Sequence, residues 1–309
     1  KDTGLVISDD PDDKIEWNEE TSTNVVPNNL EGNQFVWVPV ANPENYFINE
    51  TATLNTNATG TGAENEVTTN VYSNLTIRSG DSYTSGTPGN ISSVREPDVL
   101  NDYDTDAQYY DDILGFDNTK SMAESFVEEY KAMSDSIKKY NGFYIGRYEL
   151  TGSVEDPTEK AGEVLSADWY YLYKACQNVV TGKENVKSTM IYGVQWDAVC
   201  DWLEQSGFNT DSNSSSWGNY NNSSGNAAIE GAGSKQNTGY SDYWKANNIY
   251  DLAGNYYEWT QEAYSTSNRM VRGGVYFDSG SSYPASGRIS YNPNVSNSVI
   301  SSRATLYMS

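Results

Sequence analysis

The sequence predicts an α+β domain of mixed short strands, two core helices and long loops. Three observations carry that expectation. Two central segments repeat bulky apolar residues at helical spacing, and several short aromatic runs alternate like strands. A C-terminal stretch then joins an acidic turn (NIYDLAGNYYEWT, 248–260) to a double-glycine strand (RMVRGGVYF, 269–277). From there to Arg303 the chain is poor in charge and rich in Tyr, Ser, Asn and Gly.

With 309 residues the chain is long enough to bury a real core. Hydrophobic residues make up only 37%, but 25 Tyr and 8 Trp are present, so the fold should form around aromatic side chains and show a Tyr-rich exterior. The net charge of −24 repels phosphate backbones and anionic membrane surfaces, which excludes nucleic acid as a partner class. The absence of His removes Ser-His-Asp and Cys-His catalysis, His-ligated zinc and facial-triad iron. Cys176 and Cys200 cannot make a disulfide framework or a Cys-rich metal site. No run reaches transmembrane length, so no direct membrane insertion is expected, and Lys1 begins neither a signal peptide nor a translation start; the chain reads as a mature or trimmed ectodomain.

In chain order, residues 1–33 are acidic and turn-rich and read as an extended lead-in to a domain over 34–309. Residues 34–40 (QFVWVPV) are the first clear strand. An insertion at about 45–119 follows, its 45–95 part read as loops with a hairpin. Asp102, Asp104 and Asp106 have calcium-loop spacing, but Ala107 and Ile113 stand where an EF-hand needs Gly and a carboxylate, leaving a solvated acidic loop. The stripe Met122, Phe126, Tyr130, Met133 and Ile137 predicts a helix over 121–140, with Ser121 and Glu124 as a capping box and Asn141-Gly142 as its stop. Residues 143–150 (FYIGRYEL) read as a strand.

Ser166 is expected to cap a helix with Trp169, Leu172, Tyr173 and Cys176 inward; a second carries Trp196, Val199, Cys200 and Leu203 and ends before Gly207. Both Cys lie on core-facing stripes, which points to buried free thiols, with a helix-to-helix disulfide as the alternative. Residues 207–239 are Asn/Ser/Gly-rich around Trp217, which predicts a long ordered loop.

These motifs, in this order, resemble the formylglycine-generating-enzyme (sulfatase-modifying factor) branch of the C-type-lectin fold. FVWVP (35–39) resembles its opening strand and FYIGRYE (143–149) its FYIGKYEVT segment. SADW (166–169) falls at its first helix and QWD (195–197) at the EWE core of its second, although MIYGV (190–194) replaces the family's RLPTE. WGN (217–219) resembles PWGN with Ser216 for Pro, YDLAGNYYEW (250–259) resembles YDMxGNVWEW, and Arg272-Gly273-Gly274 resembles RGGS. Arg288 and Arg303 stand near the family's two closing arginines, with Ser302 for the Phe of GFR.

The resemblance implies a structural Ca²⁺ held by Asp251 and Glu258 with the carbonyls of Gly254 and Tyr256, and oxygen donors do suit a hard cation. Read without the family, Asp251 caps a turn and Glu258 pairs with an arginine such as Arg272. The family's formylglycine-forming members use two Cys after the double glycine to bind copper; Asp278 and Tyr283 stand there instead, and no Cys follows Cys200. The related sulfoxide synthases hold iron through His, which this chain lacks. Neither activity is expected, nor copper, iron or zinc.

What remains is a contact surface. Residues 276–302 are dominated by Tyr, Ser, Gly and Asn, the composition of antibody paratopes. They also resemble the variable regions of diversity-generating retroelement proteins, which present a mutable C-terminal face on this fold. Tyr276, Asp278, Ser279, Ser281, Tyr283, Ser290, Tyr291, Asn292, Asn294 and Asn297 are the expected contacts, with Trp259, Arg272, Gly273 and Gly274 as scaffold. The expected role is a non-catalytic adhesin or receptor-binding protein that takes a protein or glycan, at a bacterial surface, a pilus-like fibre or a phage virion. Two alternatives stay open: a divergent enzyme using Asp278 with Tyr283, and a structural pilin-like subunit.

Overall fold

The structure, a computed structural model, describes residues 4–21, 23–27, 29–43, 52–54, 67–69, 113–116, 119–223, 229–263 and 268–308. Among these the chain is a mixed α+β protein with three α-helices and several small sheets. The larger sheet has five strands: β1 (Val6–Ser8), β2 (Gln34–Pro39), β3 (Gly142–Gly146), β4 (Val186–Met190) and, last in the chain, β9 (Ala304–Met308). Their order is β1-β2-β3-β9-β4, antiparallel throughout.

Period-two alternation on β2 explains why this sheet is buried on both sides. Val36 and Val38 join one core cluster with Val6, Phe143, Ile145 and Trp196, while Phe35 joins another with Phe126, Trp169, Leu172 and Trp259. The first core strand is therefore Val6–Ser8, within what the sequence suggested was a lead-in. Three residues between acidic turns are too short a signal to show a periodicity.

Helix α1 (Thr119–Tyr140) buries Phe126, Tyr130, Met133 and Ile137 as its stripe requires. It starts at Thr119, so Ser121 lies inside the first turn rather than at the cap. Helix α2 (Trp169–Asn178) is capped by Asp168, whose carboxylate accepts the Tyr171 amide at 3.1 Å. Ser166, the expected cap, has no hydrogen-bond partner for its buried hydroxyl among the described residues. Asp168 wins because it immediately precedes the first helical residue, where its carboxylate reaches the free amides. Helix α3 (Gly193–Gln205) ends as expected before Gly207. The strand expected over 143–150 stops at Gly146.

The smaller sheet contains β5 (Tyr257–Ala263), β6 (Arg269–Arg272), β7 (Arg288–Tyr291) and β8 (Ile300–Ser301) in the order β7-β6-β5-β8, with β8 parallel to β5. Residues 273–287 connect β6 to β7, and 292–299 connect β7 to β8. Ala52–Leu54 pairs antiparallel with Val67–Thr69 in the insertion; the acidic loop read at 101–117 falls almost entirely outside the described residues. No helix among the described residues is long and apolar enough to cross a membrane.

Cys176 and Cys200 are both buried, not joined by a disulfide, and packed in different core clusters. A thiol titration should therefore find both cysteines only after unfolding, and reductant should leave the Tm of the native protein unchanged. A Tm that falls with reductant would reveal a disulfide.

Candidate functional site

The loop 273–287 begins and ends on two buried arginines that face each other across β6 and β7. Arg272 donates to Asp197 at 2.7 Å and to Glu262 at 3.3 Å; Arg288 donates to Asp197 at 2.5 Å and to Glu262 at 3.1 Å. All four side chains are buried, and α3 supplies Asp197 while β5 supplies Glu262. Arg272 also donates to the carbonyls of Ser286 and Gly287, and the Trp196 indole donates to the carbonyl of Ala285 at 2.8 Å. Removing one partner from such a buried array costs about 3–5 kcal/mol, because a desolvated charge is left behind. Both ends of the loop are thus fixed to the core.

A second support comes from residues 209–223. Asn221 donates its amide to the Asp278 carbonyl at 3.0 Å and its side chain to the Phe277 carbonyl at 2.5 Å. Asn222 accepts the Gly280 amide at 2.9 Å, and the Ser214 hydroxyl accepts the Ala285 amide at 2.9 Å. Tyr220 donates to the Gly273 carbonyl at 2.6 Å. Sequence reasoning missed these supports, because an Asn/Ser-rich loop carries no periodicity to say what it faces.

On this base the outer residues stay accessible. Phe277 is 49% exposed, Ser281 is exposed, and Tyr276, Asp278, Ser279, Tyr283, Ser290 and Tyr291 are half-buried. Asn292 and Asn294 are exposed and Asn297 is half-buried. Asn292 and Asn297 use their side-chain oxygens to accept the amides of Asn294 and Val299, so both also shape the turns after β7.

Not all predicted contacts converge. Tyr276 packs edge-on to Phe277 at 5.0 Å, and the hydroxyls of Ser279 and Ser281 bond each other at 2.6 Å. Asp278 instead accepts a short hydrogen bond from the Tyr257 hydroxyl, and the Tyr257 ring lies 6.5 Å from that of Tyr291. Burial pushes the Asp278 carboxyl up, against the opposing Tyr257 bond; burial and that same bond push the Tyr257 phenol well up.

The expected calcium set lies behind this face. In the turn before β5, Asp251, Gly254 and Asn255 all take positive φ, at 57°, 76° and 61°. Gly254 is required there, since a Cβ would strike the Asn219 carbonyl. The turn is held by Asn219, which bonds Asn255 at 3.1 Å, and by Glu149, which accepts the Asn255 side chain at 2.7 Å and the Tyr256 amide at 3.1 Å.

Glu258 does not face the same space as a free ligand. Both of its oxygens accept from Arg303, at 2.5 and 2.6 Å, although Arg272 stands opposite it in the strand register. Asp251 accepts the Gly239 amide at 2.8 Å and the Thr238 hydroxyl at 3.0 Å, leaving its Oδ1 without a hydrogen-bond partner among the described residues. As arranged, Asp251, Gly254, Tyr256 and Glu258 do not fit a cation: the positive charge among these carboxylates is the Arg303 guanidinium. The geometry matches the ion-pair alternative, with Arg303 in the place foreseen for Arg272. Among the described residues no group of three or more His, Cys, Asp or Glu side chains is arranged to hold a metal ion.

No family model matches this chain, and no curated protein matches it. Among the solved structures similar to it are two of low identity. One, titled "Crystal Structure of CarF", is 12% identical with a TM-score of 0.39, over 55% of this chain and 88% of that one. The other, Treponema denticola variable protein 1, is 13% identical with a TM-score of 0.32, over 96% of this chain and 99% of that one. Neither likeness gives a role to any residue here.

Two predictions follow from the carboxylates around Arg303. Burial pushes Asp251 up to about 7, despite the opposing Gly239 and Thr238 bonds. An unfolded Asp titrates near about 3.9, so between those values the folded chain keeps a proton that the unfolded chain has lost. This stabilising term is complete at low pH and lost as pH rises through about 7. Glu149 and Glu159 shift the same way, chiefly by burial. The Tm should therefore rise from about pH 8 to about pH 5.5, and Asp251→Asn should flatten that slope. For calcium, the Arg303 pairing predicts a Tm indifferent to added Ca²⁺ or chelator; a Tm several degrees higher in Ca²⁺ would mean that Glu258 leaves Arg303 for the cation.

Proposed function

We propose that this chain is a non-catalytic binding module of C-type-lectin-like architecture, of the formylglycine-generating-enzyme type, which contacts a protein or glycan on another cell or surface through residues 276–297. The observation that carries this reading is the contrast within one loop. Its ends are fixed by Asp197, Glu262, Arg272 and Arg288, while Phe277, Ser281 and the half-buried tyrosines stay accessible. A surface held this way loses little conformational freedom on binding, and Tyr supplies contact area with few rotatable bonds. The Tyr/Ser/Asn/Gly composition supports a face diversified by a retroelement, and a bacterial surface, a pilus-like fibre or a phage virion suits such a module.

A second reading has one observation in its favour. Asp278 and Tyr257 form a hydrogen-bonded carboxyl–phenol pair with burial-raised groups, a pattern that also occurs in acid–base sites. Under this reading Asp278→Ala abolishes turnover in an activity screen while binding persists.

The test of the first reading is a glycan and surface-protein binding screen with the intact chain and a Tyr283→Ala/Tyr291→Ala variant. Loss of about tenfold or more in affinity with the fold retained is expected for aromatic contact residues, together with some fall in Tm because Tyr291 also packs on Tyr257 and Trp259. A ligand bound equally by both proteins would remove this face from the contact.

A further inference from the structure

Between Gly273 and Ser302 the chain carries only two charged side chains, Asp278 and Arg288. Arg288 is fully buried and committed to Asp197 and Glu262. Asp278 is therefore the one formal charge that this stretch brings to the surface. Among the described residues it forms no ion pair.

The surroundings of Asp278 are aromatic. Tyr257 donates its hydroxyl to the carboxylate, Tyr291 packs 6.5 Å from the Tyr257 ring, and Trp259 meets Tyr291 edge-on at 6.3 Å from behind. Tyr283, half-buried, lies one turn further along the same loop, its amide donating to the carbonyl of Ser279, the residue after Asp278, at 2.9 Å. Asn221 and Asn222 hold the backbone on the other side through the carbonyls of Phe277 and Asp278 and the amide of Gly280. The carboxylate is thus half-buried on a fixed backbone, with one phenol bonded to it and a second ring packed beside that phenol.

Carboxylate and aromatic faces attract the same ligand. A ring face is electronegative and draws ammonium or guanidinium groups, and desolvation strengthens both that contact and the ion pair. A net charge of −24 acts in the same direction at longer range, concentrating cations and repelling anions. We propose that the half-buried surface around Asp278, with Tyr257, Tyr283 and Tyr291, receives a lysine or arginine side chain of a protein partner. The inference rests on the reading of residues 276–297 as the contact surface and narrows its ligand to a cationic protein segment.

The probes are Nα-acetyl-lysine methylamide, Nα-acetyl-arginine methylamide and the neutral norleucine analogue, titrated into the intact chain and followed by NMR. A cationic probe should perturb the ring resonances of Tyr257, Tyr283 and Tyr291, with the norleucine analogue about tenfold weaker or more. Asp278→Asn, which keeps an oxygen for the Tyr257 hydroxyl, should weaken the cationic probes about tenfold at unchanged Tm. Equal binding of norleucine, no binding of either cation, or indifference to Asp278→Asn overturns the proposal. A partner from the screen that needs Tyr283 and Tyr291 but tolerates Asp278→Asn would overturn the cationic inference and leave the contact surface intact. A partner that tolerates both variants would remove the surface itself.

Discussion

The paired arginines at the base of the 273–287 loop are the constraint on which the accessible face depends. Arg272 and Arg288 are cross-strand neighbours of like charge, which alone would repel. Asp197 and Glu262 each bridge both of them, so two carboxylates balance two guanidiniums with no charge left over. Because Asp197 belongs to α3 and Glu262 to β5, the same contacts join the helix, the small sheet and both loop ends.

The second charged centre has a different balance. Glu149, Glu159, Asp251 and Glu258 are all buried near a single guanidinium, that of Arg303. Only Glu258 takes it directly; Glu149 accepts from the turn, and Glu159 accepts the Ala304 amide on Oε1 while its Oε2 has no hydrogen-bond partner among the described residues. Burial disfavours the charged carboxylates and is the leading cause of each upward shift, and the neighbouring carboxylates add to it. In this chain the fold around the GNYYEW turn is held by hydrogen bonds and one ion pair.

Local patterns in the sequence were sufficient for the helices, for β2 and β3, for the turn at 251–255 and for the buried thiols, because each depends on residues within a few positions of one another. Distant pairings were not legible. Glu258 sits opposite Arg272 in the strands yet bonds Arg303, 45 residues away. Nothing near Asp197 announces that it will meet two arginines, and Val6–Ser8 joins the sheet only because residues 34–36 lie beside it. The accessible residues were legible by composition, but the grouping of Asp278 with Tyr257 and Tyr291 was not, since Tyr257 lies on another strand in what reads as scaffold.

The position of β9 bears on how the chain reaches this state. Ala304–Met308 inserts between β3 and β4, so a strand from the far end of the sequence joins β4 to the rest of the larger sheet. Until it arrives, β3 and β4 each present an open edge, and the two sides of that sheet have no hydrogen-bonded link. Such long-range closure is intrinsically slow and exposes unpaired strands to other nascent chains. Segments 273–287 and 292–299 lie shortly before this closing strand, so changes in these two loops would be felt in assembly kinetics and yield before they were felt in the stability of the finished protein.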